Sequence, residues 1–320
     1  MRLAVGSIYE LTDDKLEFAR QMGVKDVILH VPIHPSLYNG PGYYEFMPLI
    51  KIKTKIESYG LRLHAIENIP RKWYMNVMLG REGRDEEIEN FCKTLENMGR
   101  AGIPILGYNF MPMGVWRTCD DTPWRGARVT SFDYELVEDA PAPYGVIDDK
   151  QMWDNFKYFM KRVLPVAEEA NVKLALHPDD PPVPSLAGVA RIFRSVEAFK
   201  RLIKLFPSDY VGIEFCQGTF SEMGIDVIEA IRYFGSRKKI FYVHFRDVRG
   251  NPYKFHETFV DDGQTDMLEA MKAYKEVGYT GVFIDDHVPR LPGDTEWGHK
   301  SHAYACGYIK ALIKAVNALG

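Results

Sequence analysis

The chain has 320 residues, is 46% hydrophobic and 26% charged, and carries a net charge of −4. A chain of that balance can bury a large core without staples; it has no basic block that would favour nucleic acid and no run near the roughly 18 apolar residues of a membrane span. The opening MRLAVGSIYELTDD lacks a signal-peptide pattern, and Cys92, Cys119, Cys216 and Cys306 are widely spaced without a CxxC, so the expectation is a cytoplasmic protein with no disulfide framework.

Strand-like and helix-like segments alternate along the chain. RLAVGS (2–7) reads as the first strand, and LTDDKLEFARQMG follows as a helix with Thr12 as N-cap and Gly23 as stop. DVILHV (26–31) and LRLHAI (61–66) are the next strands, then the helical EEIENFCKTLENMGRAG and the strand PILGYNF (104–110). DNFKYFMKRVLPVAEEAN, SVEAFKRLIKLF, IDVIEAIRYFG and TDMLEAMKAYKEVG are helical patterns that alternate with VKLALH (172–177), YVGIEF (210–215), IFYVHF (240–245) and GVFIDD (281–286). A last helical stretch, AYACGYIKALIKAVNAL, ends the series. Eight strands alternating with helices predict an α/β fold of the (β/α)8 TIM-barrel type, as one domain over 1–320. An open doubly wound sheet is the alternative.

One connection is far longer than the two to six residues usual in such folds. Residues 111–147 follow the fourth strand and hold two Trp, two Tyr, a Phe and three Arg. At the C-terminal face of a barrel this insertion predicts a wall or lid over the site, with an oligomer contact as the alternative. A second insertion, 289–302, would close the other side.

Four strand-like runs end in metal-binding side chains: His177, Cys216, His244, and the pair Asp285 and Asp286 followed by His287. A single buried Cys is commonly a small hydrophobe, and a single His at a strand end is commonly just hydrogen-bonded. Four successive strand ends carrying donors point to a metal-centred active site, because parallel strands of one barrel deliver their ends to one mouth. The N2SO set suits a divalent first-row metal, and the thiolate favours Zn, Co or Fe by softness. Alternation puts Asp285 and Asp286 on opposite faces, so that one ligates while the other orients a neighbour or caps the next turn; the pattern leaves open which does which. His287, beside the metal but on the other face, is a candidate acid or base.

LHPDDPP (176–182), FCQGTF (215–220), HFRDV (244–248), FHE (255–257), DDH (285–287), NFMP (109–112), WRT (116–118) and IENIP (66–70) resemble the D-mannonate dehydratase family, in matching order over nearly the whole chain. The resemblance implies a xylose-isomerase-like TIM barrel that removes water from D-mannonate to give 2-keto-3-deoxy-D-gluconate. It implies the metal ligands His177, Cys216, His244 and Asp286, with manganese as the metal, and catalysis by His287 and a tyrosine of the last segment. Tyr304 is the first match for that tyrosine and Tyr308 the second. The chain departs from the family pattern at VPRLPGDTEWGHKSH (288–302) and WRGARVTSFDYE (124–135), where substrate length and stereochemistry would be read.

Arg117 and Arg246 are candidates for holding the substrate carboxylate, since a guanidinium matches it in a fork. Asn109, Glu67 and His256 are further candidates for substrate contact. Asp179 and Asp180 would orient His177 or cap a turn, and His30 and His64 end or line strands where packing is the simplest role. The expected partner is a small sugar acid, with no nucleic acid, no membrane, and a homodimer as the one assembly considered. Competing functions are a sugar isomerase or epimerase on the same barrel, a DNA-repair phosphodiesterase, and a binding protein that has lost turnover.

Overall fold

The computed structural model describes residues 1–30, 37 and 39–318. Val31, the last residue of the expected second strand, lies outside the described residues. Strands are numbered in chain order: β1 Arg2–Ile8, β2 Asp26–His30, β3 Arg62–Glu67, β4 Ile105–Tyr108, β5 Cys119–Trp124, β6 Ala127–Asp133 and β7 Lys173–Leu176. They continue as β8 Ser185–Leu186, β9 Val189–Ala190, β10 Val211–Cys216, β11 Ile240–His244, β12 Val248–Asn251, β13 Lys254–Glu257 and β14 Val282–Ile284. Eight of them close a barrel in the order β1-β14-β11-β10-β7-β4-β3-β2, and their pairings are parallel. This is the expected (β/α)8 TIM barrel.

The helices between the strands start where short polar side chains satisfy free backbone N–H groups. Thr12 accepts from Lys15 N as expected. Asp148, Ser195, Asp226 and Asp266 cap the helices Asp149–Glu169, Val196–Leu205, Val227–Gly235 and Met267–Glu276 in the same way. The helix Phe46–Ser58 was not among the expected ones. Its IKIKTKI text alternates with the period of a strand, but the residues it buries, Leu49, Ile52 and Ile56, fall three and four apart. Packing against β3 selects the helical period.

The barrel interior is filled by Ala4, Ile28, Ala65, Ile105, Ala175, Phe241, Tyr242, Val282 and Ile284. Small residues on some strands leave room for Phe241 and Tyr242. A Cβ on Gly107 of β4 would collide with Tyr242 Oη and approach Glu214 Oε2 to 2.7 Å, so this glycine is the space in which those two groups stand.

The 111–147 insertion forms the β5–β6 hairpin, turned at Arg125 and Gly126, both with positive φ. β6 pairs with β13, and β13 with β12, so the hairpin joins the loop after β11 in a four-stranded antiparallel sheet of order β12-β13-β6-β5. The second insertion bridges to this sheet, where Arg290 and Arg128 exchange backbone hydrogen bonds of 2.7 and 3.0 Å. Trp297 of the same insertion donates its indole N–H to Ser7 O at the end of β1.

Candidate active site

His177 directly follows β7, Cys216 ends β10, His244 ends β11, and Asp286 stands two residues past β14. One ligand-type atom from each of His177, Cys216 and His244 falls within 4.8 Å of the others, and all three are buried. Asp286 joins them through Oδ2, 3.3 Å from His244 Nδ1.

The hydrogen bonds decide which atoms can face a cation. His177 Nδ1 lies 2.6 Å from Pro178 O. A carbonyl accepts only, so Nδ1 carries the proton and Nε2 keeps the lone pair, the usual way a backbone carbonyl orients a metal-ligating imidazole. His244 Nε2 lies 2.9 Å from Glu67 Oε2, which assigns its proton there and leaves the buried Nδ1 without a hydrogen-bond partner beside Asp286. Burial opposes ionisation of Cys216, but Arg246 and the imidazoles of His177 and His244 outweigh it and hold the thiol well below its usual range. Thr219 adds a hydrogen bond to the sulfur at 3.2 Å. The neighbouring Glu214, Cys216, Glu67 and Asp286 outweigh burial and raise both imidazoles, His177 to about 10 and His244 well above its usual range, so a cation would take the place of a proton on each ring. Two imidazole nitrogens, a thiolate and a carboxylate make a donor set that fits a divalent metal.

A second buried group, His30, Glu67 and His244, has similar composition. It fails the same test. Ser7 N–H donates to His30 Nδ1 at 3.0 Å, so Nδ1 has its lone pair taken and the ring N–H is on Nε2, 3.0 Å from Glu67 Oε1. Glu67 therefore lies against His30 Nε2 on one oxygen, outside hydrogen-bond geometry, and accepts from His244 on the other, and burial is overcome by these two neighbours to hold its carboxyl below the usual range. It orients His244 from behind and is 4% exposed, which leaves it no open side for the substrate contact expected of it. Glu214, next to it, is pushed well above the usual range by burial and by the Glu67 carboxylate, and Tyr242 donates to its Oε2.

The other half of the mouth is a buried charge cluster. Arg246 spans it: Nε lies 3.2 Å from Asp286 Oδ2, Nη1 lies 3.1 Å from both Glu222 Oε1 and Glu257 Oε2, and Nη2 lies 2.9 Å from Asp180 Oδ2. Gly218, in the FCQGT phrase, clears the space for this guanidinium, since a Cβ there would overlap it. Arg117, from the insertion, pairs with both oxygens of Asp180 and donates to Glu257 Oε1 at 2.6 Å. The forks of both arginines, expected to meet a substrate carboxylate, hold protein carboxylates in this structure. Asp180 is held well below its usual range, burial being outweighed by Arg117 and Arg246, and so ties the two arginines instead of orienting His177. Asp179 accepts from Phe193 N at 2.6 Å and shapes the loop.

His287 is 25% exposed at its side chain, with Nδ1 3.0 Å from Glu257 Oε1 and Nε2 3.6 Å from Asp286 Oδ2. Its backbone is left-handed, with φ +49°, which turns the ring back from the strand direction. Asp285 faces away and pairs with His302 Nδ1 at 2.7 Å. The two aspartates divide as alternation requires: one toward the mouth, one toward the last helix.

The other expected contacts scatter. Asn109 donates to Asn68 Oδ1 at 2.8 Å at the end of β4. His256 lies on β13 with its ring 4.3 Å from that of Trp124, in the accessory sheet. Tyr304 is 43% exposed on the helix His299–Ala318, and its hydroxyl faces Asp261 and Arg125. It borders a void of about 10 Å³ shared with Arg246 and Asp286, too small for a substrate. Tyr308 lies one turn further along the same helix, partly buried against the core.

The tyrosine that does face the mouth is Tyr9, just past β1, its ring 5.4 Å from that of His30. Although 47% exposed, it is enclosed by the concave walls, and burial together with the Asp286 and Glu67 carboxylates raises its hydroxyl above the ordinary tyrosine range. The signal for it was available in the sequence: SIYE closes the first strand, as LH, FC and DDH close later ones.

The family model described as D-mannonate dehydratase (UxuA) matches residues 9–143 and 137–319. A mannonate dehydratase of Thermotoga maritima is 32% identical over 321 residues, covering 86% of this chain and 87% of that protein. The crystal structure of a mannonate dehydratase from Streptococcus suis serotype 2 superposes with a TM-score of 0.89 at 28% identity, over 100% of this chain and 96% of that one. A xylose isomerase domain protein from Planctomyces limnophilus shares the fold, with a TM-score of 0.65 at 16% identity over 99% and 100% of the two chains.

Proposed function

The chain belongs to the D-mannonate dehydratase family, and from that premise we propose that it is a hydro-lyase that removes water from D-mannonate and releases 2-keto-3-deoxy-D-gluconate. What supports this reading is the meeting of His177, Cys216, His244 and Asp286 at one barrel mouth with His287 beside them. His177 Nε2, Cys216 Sγ, His244 Nδ1 and Asp286 would hold the metal, for which the family resemblance favours manganese. Such a cation supplies positive charge that stabilises the electron-rich carboxylate end of the substrate as its C2 proton leaves.

Loss of water across C2 and C3 needs a base at C2 and a donor at the C3 oxygen. We assign the C2 proton to His287 Nε2, the ring nitrogen turned from Glu257 toward the mouth. We assign the C3 hydroxyl to Tyr9, whose raised phenol keeps its proton at neutral pH and can donate it as hydroxide departs. Arg117 and Arg246 take no part in carboxylate binding on this assignment, because the forked ends of both guanidinium groups already hold protein carboxylates. Residues 1–320 act as one barrel domain in the cytoplasm, with 111–147 as a fixed wall; no described helix is long and apolar enough to cross a membrane.

The test is a panel of aldonates and aldoses offered to metal-loaded protein, with release of a 2-keto acid as the readout. Release from D-mannonate is expected. Interconversion of aldoses with no 2-keto acid from any aldonate would replace this reading with an isomerase.

A further inference from the structure

The end of the barrel opposite the mouth holds a cavity of about 520 Å³, lined by the first residues of several strands and by the loops 235–240 and 277–281. Its charged lining is cationic. Arg2, Lys173 and Lys238 face it with His64, and no described carboxylate does. In a chain of net charge −4, that is a local reversal of sign.

The charge is not cancelled from behind. Asp26 is already held by Arg2 Nε at 2.9 Å and Arg62 Nε at 2.6 Å. The helices Val227–Gly235 and Met267–Glu276 end at this face, and their C-termini bring roughly half a negative charge each. Arg2, Arg62, Lys173 and Lys238 stand against Asp26 and these two helix ends, which leaves an excess of about two positive charges. Burial lowers His64 to about 4, so it adds no further charge at neutral pH.

The donors have capacity left. Arg2 Nη1 is taken by Thr280 O at 2.8 Å, and Lys173 Nζ stands 4.8 Å over the Phe241 ring. No described group hydrogen-bonds to Lys173 Nζ, Lys238 Nζ or Arg2 Nη2. A wall for a carbon frame is present too. Gly212 makes room for Phe241, since a Cβ there would overlap its ring, and Ile105, Ile240 and Val277 complete the apolar side.

We propose that this cavity binds a small organic dianion, its phosphate or paired carboxylates held by Lys173, Lys238 and Arg2 and its carbon frame laid on Phe241. The volume suits a molecule of that size. The site is separate from the metal donors: Lys173 and Ile240 begin β7 and β11, and His177 and His244 stand at the far ends of those strands, about 13 Å away at 3.3 Å per residue. It does not rest on the dehydratase reading.

The test uses zinc-loaded protein at neutral pH, with phenyl phosphate and phthalate as probes. The reporter is the imidazole NMR signal of His64, identified by its loss in His64→Gln; a probe bound at the metal does not touch it. At least one probe should give a saturable shift, with a Kd below about 10 mM. The tighter of the two names the charged group as phosphate or paired carboxylates. In the double variant Lys173→Gln/Lys238→Gln, Kd should rise at least about tenfold, because two charge-assisted hydrogen bonds are lost. Both lysines are exposed, and the fold does not rest on them. Inorganic phosphate, which lacks the carbon frame, should bind more weakly than the better probe. No saturable shift from either probe, an unaltered Kd in the double variant, or inorganic phosphate binding as tightly as the better probe overturns the proposal.

Discussion

His177 and His244 each have one ring nitrogen hydrogen-bonded outward and the other turned inward, whereas Arg246 and Asp180, on the opposite side of the same mouth, are engaged with other side chains. The first half is built to accept something. The second half is nearly saturated by its own pairs, with Arg117 Nε and Glu222 Oε2 left over, and its work is to hold Asp286, Glu257 and through them His287. Both are buried and charged, so burial and charge alone would not have told a ligand site from a scaffold. The direction of the hydrogen bonds does.

If the second half is a scaffold, removing its centre should cost stability more than any other single change. Arg246 joins four carboxylates through three nitrogens. Arg246→Ala leaves Glu257 without its main buried partner and takes one partner each from Asp180, Glu222 and Asp286, and is expected to destabilise by about 3–5 kcal/mol in urea unfolding. A loss below about 1 kcal/mol would mean that water already screens the cluster, and the contrast between the halves would fall.

The first half should answer differently. Cys216→Ser removes the soft, charged donor and exchanges it for a neutral hydroxyl. Metal affinity should fall by more than about 100-fold, taking turnover with it, since changes merely behind a metal ligand already cost 10–100-fold. Elemental analysis after dialysis and the 2-keto acid assay read this out. Full metal occupancy with normal turnover would remove Cys216 from the donor set.

The same contrast explains how much could be read beforehand. The barrel and its donors were legible because each strand is a short apolar run and each donor is the residue at which that run stops. His177, Cys216, His244 and the DDH triplet are all of this kind. The arginine cluster was not legible. Arg117, Asp180, Glu222 and Glu257 come from a loop, a second loop, a short helix and an added strand, separated by up to 140 residues, and no local pattern announces that they meet. Arg117 and Arg246 were expected to hold a substrate carboxylate, and a sequence does not say which protein carboxylate an arginine has already taken. The helix Phe46–Ser58 was hidden by its two-residue alternation, which tertiary packing overrode.

Acid sensitivity follows from the scaffold half. Asp180, Glu257 and Asp286 all have folded pKa values depressed below their unfolded ones, burial being outweighed by Arg117, Arg246 and His287 or His244. A depressed carboxylate contributes stability that is fully present above its unfolded pKa, near 4, and is lost as pH falls through the folded value. Glu222 runs the other way: burial and the Asp180 carboxylate raise it, so it favours the folded state at lower pH and opposes it as pH rises past about 4.5. Within this cluster, three depressed groups against one raised group predict a net loss of stability on acidification below about pH 4. Urea unfolding between pH 7 and 3 measures it. A flat profile in the parent, or the same slope in Arg117→Met, would show that the pairs are not what holds these carboxylates ionised.

The smallest effect expected concerns the two tyrosines. Tyr9 stands at the mouth among His30, Asp286 and Glu67. Tyr304 stands on the outer helix, edge-on to Phe259 with its hydroxyl near Asp261 and Arg125. If the donor to the leaving hydroxyl must come from the mouth, Tyr9→Phe should cost at least about tenfold in kcat, roughly what one lost hydrogen bond of about 1.4 kcal/mol is worth. Tyr304→Phe removes only a half-exposed surface contact, so stability should stay within about 0.5 kcal/mol and turnover should be unchanged. Both variants keep the aromatic ring, so packing against His30 or Phe259 is preserved and the hydroxyl alone is tested. The opposite result, a normal Tyr9→Phe beside an inactive Tyr304→Phe, would require the C-terminal helix to turn its first two turns inward when substrate binds. That would make the loop 289–302, not the accessory sheet, the moving wall of the site.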